Sequence, residues 1–87
     1  MYYTLSQNFP NPFNPSTIIK FELPSAGLVQ LKVYDILGKE VAELLNEYKP
    51  AGIHKVQFNG DRLSSGIYFY KIQTQDYPQT KKMILLK

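Results

Sequence analysis

The sequence predicts an all-β domain, a Greek-key β-sandwich of about seven strands, and three observations lead to this prediction. Seven tyrosines and five phenylalanines, together with β-branched residues, fall in short runs of the kind that form strands. Glycine, proline, asparagine and serine interrupt these runs about every ten to twelve residues. A chain of 87 residues has room for one hydrophobic core, so a single domain is expected.

The first two long strands are predicted from the alternation of apolar and other residues in 16–23 and 28–35. Residues at alternate positions of a strand share one face of the sheet. A further short strand is possible near residues 2–6. The side chains expected to share the core-facing sides are Thr17, Ile19, Phe21, Leu23, Val29, Leu31 and Val33.

The next element begins with the motif DILG, residues 35–38, which predicts a hairpin turn. Asp35 can accept hydrogen bonds from nearby backbone, and Gly38 can adopt the left-handed conformation that such a loop needs. The following segment, KEVAELLNEY, is ambiguous because its apolar residues lie at helical spacing. A helix there would be short, would lack an N-cap and would end at Pro50, so we prefer a bent strand.

Three later strands complete the count. Residues 51–60 place His54 on one face with Val56 and Phe58, and we expect His54 to be a partly buried sheet residue bonded to a neighbour. In the segment GIYFYKIQT, alternate residues including Tyr68 would again share one face. The last run, TKKMILLK, closes the chain as a strand.

The segment DRLSSGIYFY resembles the corner before strand F of immunoglobulin-like sandwiches, where a tyrosine hydroxyl bonds back to upstream backbone. Leu63, Gly66 and Tyr68 stand at the corresponding spacings. This corner favours an immunoglobulin-like sandwich. A barrel of the OB type is the alternative, but such a barrel usually contains a helix, and the sequence offers no good candidate.

The composition leaves little room for catalysis or metal binding. The chain has no cysteine, so it has neither disulfides nor thiolate chemistry, and one histidine cannot supply the imidazoles of a zinc site. No serine has partners at a spacing that suggests a triad. We therefore expect no enzymatic activity, no cofactor and no metal.

The charge pattern also excludes some partners. Ten basic residues and seven acidic ones are interleaved along the chain, which favours solubility over nucleic-acid binding. Lys81, Lys82 and Lys87 form the one local basic cluster, and they surround an apolar run. No segment approaches the ~20 apolar residues of a transmembrane helix.

Two weaker binding sites are conceivable from side-chain chemistry. Aspartates in turns could hold calcium through loop oxygens, although they more often cap the backbone. Outward tyrosines could form a platform on which sugars stack, although the rings are also needed to fill the core. The candidate calcium ligands are Asp35, Asp61 and Asp76, and the candidate sugar-stacking residues are Tyr34, Tyr48 and Tyr77.

The N-terminal segment, residues 1–15, is rich in proline and asparagine and precedes the predicted sandwich of residues 16–87. Proline has no backbone donor and fixes its own φ, so the segment should be stiff and should not pair in a sheet. We expect Phe9 and Phe13 to be largely buried and to clamp the segment over one end of the core. The predicted clamp consists of Phe9, Pro10, Pro12, Phe13 and Pro15.

Five blocks in order resemble the type A C-terminal sorting domain of proteins exported by the type IX secretion system. The blocks are YTLSQNFPNPFNPSTIIKFELP, VQLKVYDILGKEVAELL, AGIHKVQFNG, LSSGIYFYKI and KKMILLK. Each block alone is weak, but five in this order, from about Tyr3 to Lys87, form a specific signature. Only Met1 and Tyr2 precede the first block, so the cargo domain that normally precedes such a domain is expected to be absent from this chain.

The resemblance implies a non-enzymatic, immunoglobulin-like sandwich that directs a fused cargo to the outer-membrane export apparatus and on to the cell surface or medium. The parent protein would cross the inner membrane on a separate signal and reach the apparatus through the periplasm. In many members a sortase-like peptidase then removes the domain. In the family the signal is concentrated towards the C-terminal end, which corresponds here to Gly66, Tyr68, Lys81, Lys82, Met83 and Lys87.

The last strand suggests how recognition could occur, because an edge strand with free backbone groups can be extended by a partner's strand. Lysines beside it discourage pairing with copies of itself. The simpler interpretation is a terminal core strand with Met83 and Leu85 inward. Two other functions stay open: a carbohydrate-binding sandwich of a secreted enzyme, and a structural module resembling the immunoglobulin-like part of flagellar hook-capping proteins.

Overall fold

The computed structural model describes residues 2–75 and 77–87, and within these ranges it contains seven strands and no helix. The strands form two antiparallel sheets, one with the order β1-β2-β5 and the other with the order β4-β3-β6-β7. They are β1 (Thr4–Leu5), β2 (Ser16–Leu23), β3 (Gly27–Tyr34), β4 (Glu40–Lys49), β5 (Gly52–Asn59), β6 (Gly66–Thr74) and β7 (Tyr77–Leu85).

The two sheets pack as a sandwich with immunoglobulin-like connectivity. The chain changes sheet between β2 and β3, between β4 and β5, and between β5 and β6. In immunoglobulin terms, this gives strands A, B and E in one sheet and C′, C, F and G in the other. The predicted all-β Greek-key sandwich of about seven strands is therefore confirmed.

The core lies between the sheets, and the alternation in the sequence identified most of it. All seven side chains predicted to face inward from β2 and β3 are buried. β6 contributes its alternate residues to the same core, and β7 contributes two. The hydrophobic residues buried in the core are Leu5, Phe13, Ile19, Phe21, Leu23, Val29, Leu31, Val33, Phe58, Tyr68, Tyr70, Ile72, Met83 and Leu85.

The ambiguous segment forms β4, which is a strand with two register shifts rather than a helix. Leu31 pairs with Leu45, but the next residue of β3 pairs with Glu43, so Leu44 has no partner of its own. Val41 is skipped in the same way. Each β-bulge inserts one residue into the period of two, so apolar residues recur at a spacing of three that imitates a helix.

Two predicted local features are present as expected. The Asp35 carboxylate accepts hydrogen bonds from the backbone N–H groups of Leu37 and Lys39, both at 2.9 Å, and Gly38 has a φ of 84°. His54 is half-buried, stacks on Phe21 with ring centroids 5.3 Å apart, and has its Nε2 2.7 Å from the carbonyl oxygen of Pro50. His54 is thus a structural residue of β5.

The N-terminal segment differs from its prediction in two respects. It does pair: Phe9 forms a β-bridge with Ile18 of β2, and Phe13 forms one with Leu85 of β7. Phe13 is 1% exposed, as expected, but Phe9 is 78% exposed, so the prediction that Phe9 is buried was wrong. Pro10 and Pro12 are also exposed, whereas Pro15 is half-buried.

The position of Phe9 follows from its neighbour Asn8, which takes the inward position. Asn8 is 2% exposed, and its side chain donates hydrogen bonds to Thr17 Oγ1 at 3.0 Å and to the carbonyl oxygen of Pro10 at 3.2 Å. Neighbouring residues of an extended chain point to opposite sides. With Asn8 held inward, the ring of Phe9 must point to solvent.

Candidate functional site at the C-terminal strand

The C-terminal run forms β7, whose inner face belongs to the core. Nine register pairs join β7 to β6. Met83 and Leu85 are both 0% exposed, whereas Lys82 is exposed and Lys81 is half-buried. The run predicted as an apolar strand flanked by charge is therefore a core strand in which Lys82 points outward, while Lys81 lies half-buried in the same row as Met83 and Leu85.

The residues that the family resemblance points to converge on the β6–β7 hairpin. Gly66 lies opposite Leu85, and Tyr68 lies opposite Met83. Lys81 and Lys82 lie further along the same pair. Lys87 follows the strand, where its backbone N–H donates to Ser65 Oγ at 2.9 Å and its ammonium group donates to the carbonyl oxygen of Asp61.

Burial divides these residues into two groups. Tyr68 is 8% exposed and Met83 is 0% exposed, so their side chains are enclosed by the folded domain. Gly66 has no side chain and a φ of 156°. Lys81, Lys82 and Lys87 carry the charged groups at the surface.

The tyrosine corner predicted from the sequence is present. The Tyr68 hydroxyl donates a hydrogen bond to the carbonyl oxygen of Ser64 at 2.7 Å. This bond ties the start of β6 to the loop before it, which also holds Ser65 against the chain end. The C-terminal residues are thus held to the loop as well as to β6.

The outer edge of β7 is largely occupied by the N-terminal segment. The Phe13 N–H donates to the carbonyl oxygen of Ile84 at 2.9 Å, and the Leu86 N–H donates to that of Phe13 at 3.0 Å. The side chain of Asn11 accepts from the Ile84 N–H at 3.0 Å, and that of Gln7 donates to the carbonyl oxygen of Lys82 at 2.7 Å. The expectation that a partner's strand could extend β7 along its whole outer edge is therefore wrong for the part that residues 7–13 cover.

On this edge of the described strand, the N-terminal segment does not bond the backbone around Thr80. The residues that bond outward are Lys82, Ile84 and Leu86, and by alternation Thr80 and Pro78 face the same way. Proline has no N–H to offer. A partner strand could pair with the first half of β7, but pairing with the second half would require residues 7–13 to leave.

A family model described as "Secretion system C-terminal sorting domain" matches residues 7–86. The chain belongs to this family. No curated protein matches it. The family consists of sorting signals rather than enzymes, and its domains are the C-terminal signals of type IX secretion. The sorting domain thus directs a fused cargo to the export machinery and to the cell surface or medium.

Among residues 2–75 and 77–87, the structure does not assemble the other binding sites considered from the sequence. Asp35 uses its carboxylate in the turn, and Asp76 lies outside the described residues. Tyr77 stacks on Tyr3, with centroids 5.1 Å apart, and packs against the core. Tyr34 and Tyr48 lie at opposite ends of the β3–β4 pair, so the three tyrosines do not form one platform.

Among residues 2–75 and 77–87, no group of three or more histidine or acidic side chains is arranged to hold a metal ion. The described part of the sorting domain has no helix long and apolar enough to cross a bilayer.

Tyr70 is a residue of the sorting domain whose role the sequence did not reveal. Its hydroxyl is buried, accepts a hydrogen bond from the Asn8 N–H at 2.8 Å and donates one to the carbonyl oxygen of Ser6 at 2.7 Å. Burial raises the pKa of Tyr70 to about 12. A tyrosine at an inward position of β6 was a signal that a polar partner was needed, because buried tyrosine hydroxyls are usually bonded.

The Tyr70 hydroxyl makes stability depend on pH in the alkaline range. The unfolded phenol has a pKa near 10 and the folded one has a pKa of about 12, so burial as the neutral form stabilises the domain below pH ~10. That contribution, about 3 kcal/mol at most, is lost as the pH rises from ~10 to ~12.

We predict that Tyr70→Phe lowers the unfolding free energy by about 1–3 kcal/mol near neutral pH, because two backbone groups lose their partner. The gap between variant and wild type should narrow above pH ~10, where the wild type loses its own tyrosine contribution. Denaturant titrations at a series of pH values measure both effects. Tyr48→Phe, at a 73% exposed side chain, should leave stability unchanged. A gap of constant size up to pH ~12 would contradict the assignment.

Proposed function

We propose that the export machinery recognises the sorting domain as a folded unit, through the lysines at the surface of β7 and of the chain end. The observation that carries this proposal is the difference in burial among the six residues to which the family resemblance points. Lys81, Lys82 and Lys87 present charge at the surface, whereas Tyr68 and Met83 are enclosed. A receptor surface with acidic groups would complement such lysines.

Gly66, Tyr68 and Met83 have a supporting role in this proposal. Tyr68 bonds the β6 start to Ser64, and Met83 fills the core opposite it. Substitution at these positions would weaken the hairpin that carries the lysines. The loss of export caused by such substitutions would then follow the loss of folding stability that they cause.

We infer that the domain serves as an address and performs no catalysis of its own. The family is one of sorting signals, which supports this inference. The single histidine, a usual acid or base, stacks on Phe21 and bonds the Pro50 carbonyl. The parent protein would enter the periplasm on a separate signal before the export machinery recognises the sorting domain.

We further propose that a sortase-like peptidase releases the cargo by cutting upstream of Tyr3. From Tyr3 onward the chain is bound to the domain, because Tyr3 stacks on Tyr77, β1 pairs with β2, and the Ser6 N–H donates to the Lys20 carbonyl oxygen at 2.9 Å. Proteases cut exposed and unpaired backbone most readily. Residues 3–15 and 16–87 would accordingly remain one unit after cleavage.

The lysine proposal is tested with two charge-matched double variants fused to a periplasmic reporter. Lys81→Gln with Lys82→Gln should lower surface display by about tenfold or more, because the charged contacts are removed. Lys39→Gln with Lys49→Gln removes the same charge elsewhere and should display normally. Both variants should keep unfolding free energies within about 0.5 kcal/mol of the wild type.

Adding Lys87→Gln to the first variant should deepen the loss. Normal display by the folded triple variant would overturn the proposed role of the lysines, while the family assignment would stand. A loss shared equally by the control variant would show a dependence on total charge instead.

A further inference from the structure

A groove of about 580 Å³ lies beside the outer face of the β1-β2-β5 sheet. Its size is within the range of ligand-binding sites. The residues that line it are Ser6, Gln7, Phe9, Ile18, Lys20 and Lys55.

An exposed aromatic ring forms one wall of this groove. Phe9 is 78% exposed, yet its backbone is fixed by two hydrogen bonds with Ile18, at 2.9 and 3.0 Å. The preceding residue, Asn8, is buried and bonded to Tyr70 and Thr17. A ring held out by a rigid backbone loses little conformational entropy on binding, which is typical of interface anchors.

Two lysines form the charged part of the groove. Lys20 of β2 and Lys55 of β5 are direct register partners. Like charges placed opposite each other on one face destabilise a sheet. Neither lysine forms an ion pair with any described acidic residue, including Glu22 on the same face of β2. A negatively charged occupant would relieve this repulsion.

We propose that the groove binds an acidic segment of a partner protein, with a carboxylate between Lys20 and Lys55 and an apolar side chain against Phe9 and Ile18. An occupant that fits the groove must therefore carry both a negative charge and an apolar side chain. The concave shape admits a protruding chain, whereas a flat bilayer would leave the groove unfilled. Two lysines would also contribute little to the binding of an anionic membrane.

This proposal concerns a second surface and does not depend on export, so it can be tested with the isolated chain. The probe is the tetrapeptide Glu-Phe-Glu-Leu, acetylated at its N-terminus and amidated at its C-terminus. Its binding is measured from the amide chemical shifts of the isotopically labelled domain as the peptide is added. Saturable shifts should map to residues 6–9, 18–20 and 55, with a dissociation constant on the order of 1 mM. The neutral analogue Gln-Phe-Gln-Leu should bind about tenfold more weakly or worse.

Variants separate the groove from other basic surfaces. Lys20→Gln with Lys55→Gln should weaken binding of the acidic peptide by about tenfold or more, and Phe9→Ser should do likewise. Lys81→Gln with Lys82→Gln should bind as the wild type does. Unperturbed amide shifts in β3 and β6 would show that each variant is folded.

Three results would overturn the proposal. They are the absence of saturable shifts with the acidic peptide, equal binding by the Lys20 and Lys55 double variant, and shifts that map to β7 instead. Vesicles containing anionic phosphatidylglycerol form a separate arm. Vesicle binding through Phe9 and Lys55, without peptide binding, would assign the groove to a membrane and reject a protein partner.

Discussion

Phe13→Ala is expected to lower the free energy of unfolding by about 3–5 kcal/mol. The Phe13 ring is 1% exposed and meets Phe58 edge to face, with ring centroids 6.0 Å apart. The Gly60 backbone packs directly against the ring, because a Cβ on Gly60 would come within 3.3 Å of it and within 3.1 Å of Leu85. Since the total stability of such a domain is about 5–15 kcal/mol, this variant should approach unfolding.

The measurement is a denaturant titration of Phe13→Ala beside Phe9→Ala. The two rings are four positions apart in the same segment, but Phe9 is exposed, so its truncation should cost less than about 0.5 kcal/mol. A cost below about 0.5 kcal/mol for Phe13→Ala would contradict the clamp, since burial of such a ring is worth roughly 1.5–3 kcal/mol. Equal losses of unfolding free energy in the two variants would contradict the placement of Phe13 in the core and of Phe9 at the surface.

Ending the chain after Thr80 is expected to abolish both folding and export of a fused cargo. The deletion removes five of the nine pairs between β6 and β7, and with them the buried Met83 and Leu85. It also removes the Ile84 and Leu86 groups that bind Phe13. A core that loses two large side chains and its clamp has little stability left.

Circular dichroism and thermal melting of the truncated chain should show no cooperative transition, and the fused reporter should remain unexported. A folded truncated domain would contradict the structural role assigned to the last strand. Normal export by the truncated fusion would contradict the placement of the signal at the C-terminal end. Because folding and export fail together here, the lysine substitutions are the sharper test of recognition.

The two-residue period of strands made much of the fold predictable. In β2 and β3 the period runs without interruption, so inward residues such as Ile19 and Leu31 could be read directly. The Tyr68 corner was also readable, because its bond spans only four residues. β4 was ambiguous because two bulges change the period, and a bulge has no residue signature in KEVAELLNEY strong enough to reveal it.

The N-terminal segment could be predicted only in part, because its geometry depends on long-range contacts. Phe9 and Phe13 look alike in the sequence, each followed within two residues by proline. What separates them is the burial of Asn8 against Tyr70, a residue 62 positions away. The family resemblance pointed to Gly66, Tyr68 and the lysines, but it did not indicate that residues 7–13 cover the β7 edge.

The most direct test of the central claim is surface display of a periplasmic reporter fused to residues 1–87, measured in a host with the type IX apparatus and in the same host lacking it. Belonging to the sorting-domain family predicts display in the first host and retention of the reporter in the periplasm of the second. Equal display in both hosts would contradict the claim that this domain is the export signal.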